Sequence, residues 1–340
     1  MTESRNNRDA IDMPIGVSLG TAAVLGLARA RLQETPTTAH VLFGEKCVNN
    51  CAFCAQAKGS STAPHHLSRV TWPLFTWDRL KGPLQEAIED GVFKRVCVQT
   101  VECSESPGPA LLFIRRVRAM SPSVLVSAAI TPVSVSRVKL FFEAGASNIG
   151  LPIDAATPEV YARVKGGSYD KAWSVLERSA ALWPNRISTH LIVGLGETEE
   201  DAVRFLARAK VAGVTVGLFA FTPVKGTAME KTPQPEVGAY RRVQVAAYFL
   251  KKGGDAAEIE FRGGKIAKVG RDIRFIEEDI LAGKPFETSG CSFCNRPYYN
   301  ERPGQVMMNY PRKLTAEEAS RAREESCLPA DLTAKGGDSL

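Results

Sequence analysis

The sequence predicts an α/β protein: a partial or complete (β/α)8 barrel of the TIM type with a C-terminal extension. Between residues 40 and 251, short runs rich in Val, Ile and Phe alternate with longer amphipathic segments. The runs are nearly continuous in apolar residues, as is typical of strands buried on both faces. Strand and helix units in series build a parallel sheet, which right-handed crossovers arrange as a barrel or as an open, doubly wound sheet. We favour the barrel because neither standard glycine-rich phosphate loop is present.

The apolar runs and the helical periodicity define the elements in order. Cap signals such as Thr157-Pro158 and Thr198-Glu199 mark where helices begin, and glycine follows many helix ends. The predicted strands are 40–44, 95–100, 124–130, 148–154, 187–194 and 214–222. The predicted helices are 15–32, 77–90, 110–120, 134–144, 158–164, 169–182, 199–212 and 236–251.

These elements divide the chain into four parts. Residues 1–36 are predicted to be a helical lead-in, and residues 37–255 the barrel core. In 256–314, two short strands flank Gly263-Gly264, which is typical of a hairpin, and this extension is expected to complete the barrel. Residues 315–340 are expected to form a charged tail, with one helix and a frayed end.

Composition excludes several classes of protein. The chain has 340 residues, of which 44% are hydrophobic and 24% charged, so a disordered chain, a collagen and a coiled-coil rod are excluded. No apolar run is long enough to span a membrane, and the polar start lacks the apolar core of a secretory signal, so we expect a cytoplasmic protein. The net charge of +6 indicates a solvated basic surface, or an acidic partner or anionic ligand, rather than nucleic acid.

The chain has eight cysteines, and their grouping indicates a metal-binding protein. Clustered cysteines in a long chain without an export signal more often bind metal than form disulfides. Cys47, Cys51 and Cys54 follow the first predicted strand with the pattern C-x3-C-x2-C. Three ligands fill three irons of a cubane 4Fe–4S cluster and leave the fourth iron open. The alternative is a zinc site with His65 or His66 as its fourth ligand.

With Phe53 between its second and third cysteines, this triplet resembles the signature of the radical S-adenosylmethionine (SAM) superfamily. The resemblance implies that SAM chelates the open iron and that one electron cleaves SAM to methionine and a 5′-deoxyadenosyl radical. This radical takes a hydrogen atom from the substrate, so the resemblance implies no catalytic side chain beyond the cofactors.

The resemblance also implies a SAM site at the strand ends. The glycine motif at 191–198 resembles the segment that backs the adenine, although an ordinary strand-to-helix turn is the alternative. Asp154 is expected to hold the ribose hydroxyls or, alternatively, to cap a helix, and Gln99 is expected near the methionine amino group. Together, the implied SAM contacts are Phe53, Gln99, Asp154, Val193, Gly194 and Leu195.

Cys291 and Cys294 form a second group, with the pattern C-x2-C. A redox pair is disfavoured because no strand and helix follow, which leaves half of a zinc site or two ligands of a second cluster. Beside a radical SAM core, we interpret the pair as ligands of an auxiliary 4Fe–4S cluster with Cys97 as the third, although Cys97 is alternatively a buried structural thiol. Further candidate ligands are Cys103 and the hydroxyls of Ser289 and Ser292.

One branch of the superfamily fits best. A biotin synthase needs cysteines on later strands, but 124–130 has none, and Ser188-Thr189-His190 stands where that family has a cysteine. The unactivated C6 and C8 of an octanoyl chain need a carbon radical, which a cluster sulfide can trap. The segments that resemble the biotin synthase-like subunits of two-protein lipoyl synthases are 189–197, 217–223, 291–304 and 309–312. In that family, two related proteins each insert one sulfur, taken from the auxiliary cluster, into a protein-bound octanoyl chain.

This resemblance implies three partners. They are an octanoylated lipoyl carrier protein (H-protein or a dehydrogenase E2 domain), a second lipoyl synthase subunit, and an electron donor such as ferredoxin or flavodoxin. The alternatives are biotin synthase or another radical SAM enzyme of its branch, and a non-catalytic iron–sulfur scaffold or zinc protein. Neither a nucleic acid nor a membrane is expected. We interpret His190 as a pocket residue that forms hydrogen bonds, and Arg296 and Arg302 as residues of the cluster mouth or the surface.

Overall fold

The computed structural model describes residues 14–297, 299 and 304–328. Its main sheet contains eight strands, and two small hairpins form separate sheets. The strands are β1 (Ile15–Val17), β2 (Thr38–Phe43), β3 (His66–Leu67), β4 (Val70–Thr71), β5 (Leu74–Phe75), β6 (Arg95–Thr100), β7 (Leu125–Ala129), β8 (Asn148–Gly150), β9 (Ile187–Val193), β10 (Thr215–Ala220), β11 (Glu260–Arg262) and β12 (Lys265–Lys268). The helices are α1 (Leu19–Val24), α2 (Trp77–Glu89), α3 (Gly108–Met120), α4 (Val135–Glu143), α5 (Pro158–Val164), α6 (Tyr169–Leu182), α7 (Glu199–Val211), α8 (Val237–Lys251), α9 (Arg274–Leu281) and α10 (Ala316–Ser326).

The order of strands along the main sheet is β10-β9-β8-β7-β6-β2-β1-β5. From β2 to β10 the neighbours are parallel and follow chain order, while β1 and β5 are added antiparallel at the β2 edge. A doubly wound sheet requires a point where the strand order reverses, and this sheet has none. The predicted α/β barrel is therefore confirmed in its partial form, because within the described residues β10 and β5 remain unpaired edges.

The lead-in was predicted to be helical over 15–32, and this is wrong at both ends of the range. Ile15–Val17 is a strand, and only Leu19–Val24 is helical. Gly16 pairs with Leu42 of β2 and Leu74 of β5, so the segment is buried between two strands. Backbone pairing across the sheet outweighs the helical spacing of the apolar residues, which is only a local signal.

The C-terminal extension, which we expected to complete the barrel, adds no strand to the main sheet within the described residues. The predicted hairpin forms, but among the described strands β11 and β12 pair only with each other, and β12 packs on α7 and α8. The irregular segment 287–297 instead crosses from β10 to β2. The Ser289 hydroxyl accepts a hydrogen bond from Leu218 N of β10 (2.9 Å), and the Thr38 hydroxyl of β2 donates to Phe293 O (2.6 Å). Side chains thus link the first and last parallel strands where no strand joins them.

The tail begins with the predicted charged helix. Thr315 and Glu318 form a capping box at the start of α10, which packs on α8. The predicted frayed end lies outside the described residues. Among the helices that the structure describes, none combines the length and the apolar composition that a bilayer crossing requires.

Candidate active site in the barrel cavity

A cavity of ≈ 350 Å³ runs through the barrel interior, and both cysteine groups line it. This volume is in the range of small-molecule and cofactor sites. Cys47, Cys51 and Cys54, the first thiol set, follow the end of β2 and stand at the carboxyl end of the strands. The second thiol set is Cys97, Cys291 and Cys294.

The second thiol set lies in the amino-terminal half of the strands. Cys97 is the third residue of β6. The Cys291 thiol lies 3.4 Å from Asn148 Oδ1 at the start of β8, and 3.8 Å from the hydroxyl of Ser188 near the start of β9. The two thiol sets therefore stand at opposite ends of one cavity.

The loop that carries the first thiol set is held by a buried glutamine. The side chain of Gln56 accepts a hydrogen bond from Lys46 N (3.0 Å) and donates to Pro64 O (2.6 Å), and its backbone carbonyl accepts from Cys47 N (2.8 Å). Gly44 begins the loop with φ +89°, where a Cβ would lie 2.9 Å from Val101 O. Sequence analysis missed Gln56, because nothing local distinguishes it from a surface glutamine.

Burial makes Cys51 and Cys54 weaker acids than an ordinary cysteine. It raises the pKa of Cys51 to about 12 and that of Cys54 to about 11, and Lys165 opposes the shift at Cys51. Such thiols become thiolates when a metal replaces the proton. Within the described residues, no three His, Cys, Asp or Glu side chains converge on one metal-ion position. His65 lies beside Glu45 at 3.6 Å and is not among the residues that line the cavity.

A buried ion pair stands close to the first thiol set. Lys165 Nζ lies 2.8 Å from Asp154 Oδ2 and also donates to Pro152 O (2.7 Å). Burial is the largest single effect on Lys165 and acts to lower its pKa, but Asp154, Cys51 and Tyr161 together outweigh it, so the pKa is raised. Burial lowers the pKa of His190 to about 4, so its ring, 3.8 Å from Asp154 Oδ1, is neutral at pH 7. Thr157 caps α5, so Asp154 is not a helix cap.

Only some of the predicted SAM contacts line the cavity. Phe53, Gln99 and Asp154 line the cavity, whereas Val193, Gly194 and Leu195 do not. The Glu197 carboxylate accepts hydrogen bonds from Gly194 N (2.6 Å) and Leu195 N (3.0 Å), so these amides face the turn rather than a ligand. At this position, the wall of the cavity is formed by Ile192, Phe221 and Thr222.

Gln99 is directed toward the other end of the cavity. Its amide nitrogen donates to Cys97 Sγ at 3.0 Å, so the expected contact with the methionine amino group is not the one that the side chain makes here. Because side chains alternate between the faces of a strand, two residues along β6 bring the amide back to the same face as the Cys97 thiol.

The second thiol set is assembled from distant parts of the chain. Burial, together with the neighbouring thiols Cys294 and Cys291, raises the pKa of Cys97 to about 12. Cys294 Sγ lies 3.9 Å from His40 Nε2. Cys103 does not join the set: it lies 3.9 Å from the Ser106 hydroxyl and does not line the cavity.

The two serine hydroxyls predicted as oxygen ligands already have partners. Ser289 accepts from the backbone of β10, and the Ser292 hydroxyl accepts from Arg95 Nη2 at 2.8 Å. Neither serine lines the cavity. Arg296, in contrast, lines it at this end, and its guanidinium stacks over Phe219 at 4.1 Å. Arg302 lies outside the described residues.

Polar atoms without partners surround the second thiol set. Arg95 Nη1 and the Tyr299 hydroxyl are buried and have no hydrogen-bond partner within the described residues, and both side chains line the cavity. Buried polar groups are almost always hydrogen-bonded, so these two donors indicate that an acceptor binds inside the cavity. Three thiols with donors around them fit a cluster of iron and sulfide, whose sulfides accept hydrogen bonds.

Comparison with known proteins agrees with this site. Residues 41–209 match the profile of the Radical SAM superfamily. The mitochondrial lipoyl synthase of Arthroderma otae is 27% identical over 215 residues, which are 59% of this chain and 49% of that protein. A biotin synthase from a Nocardioides species is 28% identical over 256 residues, covering 72% of this chain and 64% of that protein. The chain spans about half the length of the lipoyl synthases that it matches.

Among solved structures, methylornithine synthase superposes with a TM-score of 0.49 and 17% identity, over 63% of this chain and 61% of that one. The sequence matches define the class: the chain belongs to the radical SAM superfamily. Within it, the chain is a biotin synthase-like member related to lipoyl and biotin synthases. Membership implies one 4Fe–4S cluster and SAM as cofactors.

Proposed function

We propose that this protein is a radical SAM sulfurtransferase that inserts sulfur into a protein-bound octanoyl chain, as one of two homologous lipoyl synthase subunits. The observation that carries the proposal is the single cavity with one thiol set at each end. A carbon held between the ends would lie within reach of a radical source at one end and a sulfur source at the other. Hydrogen abstraction and sulfur capture then need no movement of the substrate between sites.

The first thiol set would hold the 4Fe–4S cluster through Cys47, Cys51 and Cys54, which leaves one iron open for SAM. When bound, the cluster and SAM supply a 5′-deoxyadenosyl radical that removes a hydrogen atom from an unactivated carbon. Asp154 offers a carboxylate to the bound SAM, and Lys165 holds that carboxylate in place. Phe53 contributes an aromatic wall beside the thiols.

The second thiol set would hold the auxiliary 4Fe–4S cluster that supplies the sulfur. Cys97, Cys291 and Cys294 offer three ligands, and the partnerless donors of Arg95 and Tyr299 match its sulfides. Arg296 brings positive charge to the same end, which compensates for the charge of three thiolates.

The wall between the two ends suits an acyl chain. Ile130, Ile192, Phe219 and Phe221 contribute apolar surface there. The imidazole that lines this wall, His190, is neutral and has a pKa far below 7, which makes it a poor general base at neutral pH. An octanoyl methylene offers no acidic proton, so a site that works by radical abstraction has no need of such a base.

Biotin synthesis is the second candidate. The Nocardioides biotin synthase matches 72% of this chain, more than the Arthroderma lipoyl synthase does. Against this candidate, β7 contains no cysteine, and β9 carries Ser188-Thr189-His190 where the biotin synthase branch has a thiol. In this chain the thiol beside Ser188 comes from Cys291 of the C-terminal extension, 3.8 Å away.

The decisive experiment is mass spectrometry of an octanoylated carrier peptide after turnover with SAM and a reductant, alone and with the second subunit. We expect this chain to add one sulfur atom, on its own if it acts first, or only together with the second subunit if it acts second. The Cys291→Ala, Cys294→Ala variant is the control, and should form 5′-deoxyadenosine without adding sulfur. Sulfur added to dethiobiotin but not to the octanoyl peptide would establish the second candidate instead.

The partners remain part of the proposal: an octanoylated carrier (H-protein or E2 domain), a second subunit, and ferredoxin or flavodoxin as electron donor. The net charge of +6 suits acidic partners.

Steering by exposed charges is screened beyond about 8 Å at physiological ionic strength. Raising the salt concentration should therefore slow association with the carrier far more than dissociation, as stopped-flow binding would show. Equal association rates at low and high salt would contradict the role of charge in binding the carrier, but not the role of the acyl chain.

A further inference from the structure

Arg95 is buried beside the second thiol set with part of its guanidinium unused. Only 4% of the residue is exposed. Its Nε donates to Ser292 O (2.9 Å) and its Nη2 to the Ser292 hydroxyl (2.8 Å), which fixes the guanidinium against the turn between Cys291 and Cys294. Its Nη1 has no partner within the described residues. A guanidinium cannot lose its charge, so the two N–H groups of Nη1 stay donors at any pH that the protein tolerates.

Tyr299 approaches the same place from another segment. Its ring packs against His40 of β2, with ring centroids 5.8 Å apart. Its hydroxyl lies near the Cys97 and Cys294 thiols, is buried, and has no partner in the part of the chain that the structure describes. Two donors from unrelated segments, a β6 guanidinium and a C-terminal phenol, therefore line the end of the cavity where the second thiol set lies.

We infer that Arg95 and Tyr299 donate hydrogen bonds to the sulfides of the cluster held by Cys97, Cys291 and Cys294, and so make that cluster easier to reduce. The inference rests on the proposed function, because it needs a cluster at the second thiol set. Hydrogen bonds to sulfur and nearby positive charge stabilise the more negative, reduced state, and both are levers that set the potential of such clusters. Arg95 and Tyr299 act as positioning and tuning residues, and neither supplies a ligand.

The test isolates the second cluster. The Cys47→Ala, Cys51→Ala, Cys54→Ala chain is reconstituted with iron and sulfide, so that only the second thiol set is loaded, and its midpoint potential is measured by a redox titration followed by electron paramagnetic resonance. Tyr299→Phe removes one hydroxyl and little else, and should shift the potential to a more negative value. Arg95→Gln also removes a charge, and should shift it further in the same direction. Tyr248→Phe is the matched control, since its hydroxyl binds Asp279 (2.6 Å) and it does not line the cavity.

Iron and sulfide analysis completes the test. Tyr299→Phe should retain the full iron content of the background, about four irons per chain for one cubane. An unchanged potential and spectrum at full iron content would overturn the inference, because the two donors would then form no hydrogen bond with the cluster sulfides. Loss of iron from Tyr299→Phe would also overturn it, because the tyrosine would then support the fold of the segment. A background chain that binds no iron would overturn the proposed auxiliary cluster, and the inference with it.

Discussion

The two ends of the cavity are built in opposite ways. Cys47, Cys51 and Cys54 come from a single loop, which Gln56 holds through hydrogen bonds within that loop. The second thiol set joins Cys97 on β6 to Cys291 and Cys294 on a segment anchored by Ser289 and Thr38. The first end depends on local spacing, and the second depends on how the extension docks across the open barrel. Variants should therefore separate the two ends.

The largest effect is expected at the first end. Replacing Cys47, Cys51 and Cys54 together with alanine should abolish SAM cleavage, because no thiolate then holds the cluster, while the fold survives. The measurements are 5′-deoxyadenosine formation by chromatography and circular dichroism of the fold. Cys327→Ala is the control, since this exposed cysteine ends α10 outside the cavity. Continued 5′-deoxyadenosine formation by the triple variant would exclude the radical SAM role of these cysteines.

The second end should fail independently. Cys291→Ala with Cys294→Ala should leave SAM cleavage intact, abolish sulfur insertion, and lower the iron content by about half, on four irons per cubane. Cys97→Ala should lower the iron content in the same way, whereas Cys103→Ala should not, because Cys103 does not line the cavity. Iron content that stays unchanged in the double variant would refute the assignment of this end.

The ion pair near the first end should matter for stability as well as binding. Asp154→Asn leaves Lys165 charged in a site where both side chains are only 11% exposed. Removing one partner of a buried pair costs about 3–5 kcal/mol. We expect a loss of this order in urea unfolding, together with weaker SAM binding and an unchanged second cluster. Glu177→Gln, which breaks a half-exposed pair with Arg208, should cost about 1 kcal/mol or less. Equal losses in both variants would contradict the role given to Asp154.

The smallest effects are expected from substituting two glycines, one beside each thiol set. Gly44 (φ +89°) precedes the first thiol set, and Gly290 (φ +117°) directly precedes Cys291 of the second thiol set, where a Cβ would lie 3.3 Å from Gly217 Cα. Alanine at such positions introduces strain of about 1–3 kcal/mol. Gly44→Ala should therefore reduce loading of the first cluster only, and Gly290→Ala that of the second only, as iron analysis and SAM cleavage would report. If both variants lost the same cluster, the two ends would not be independent.

Much of the fold follows from local sequence. The helices 158–164 and 169–182 and the strand 95–100 were predicted at their observed bounds, because their apolar spacing and caps are properties of neighbouring residues. The same holds for the first thiol set, whose three members lie within one turn-forming stretch. Burial on both faces also identified the parallel strands, since continuous apolar runs need no knowledge of the partner strand.

Other features depended on contacts between distant residues. The apolar spacing of β1 predicts a helix, but the segment forms a strand because β2 and β5 pair with it on either side. Arg95 and Tyr299 carry no local mark of function, and each gains its role from a residue far along the chain. Gly194 and Leu195 were predicted as SAM contacts, and their amides bind the carboxylate of Glu197, which no local pattern indicated. Local spacing determines which elements form and where a contiguous ligand set lies. Where a buried charge or donor points is decided only when the packed elements exclude water and limit its possible partners.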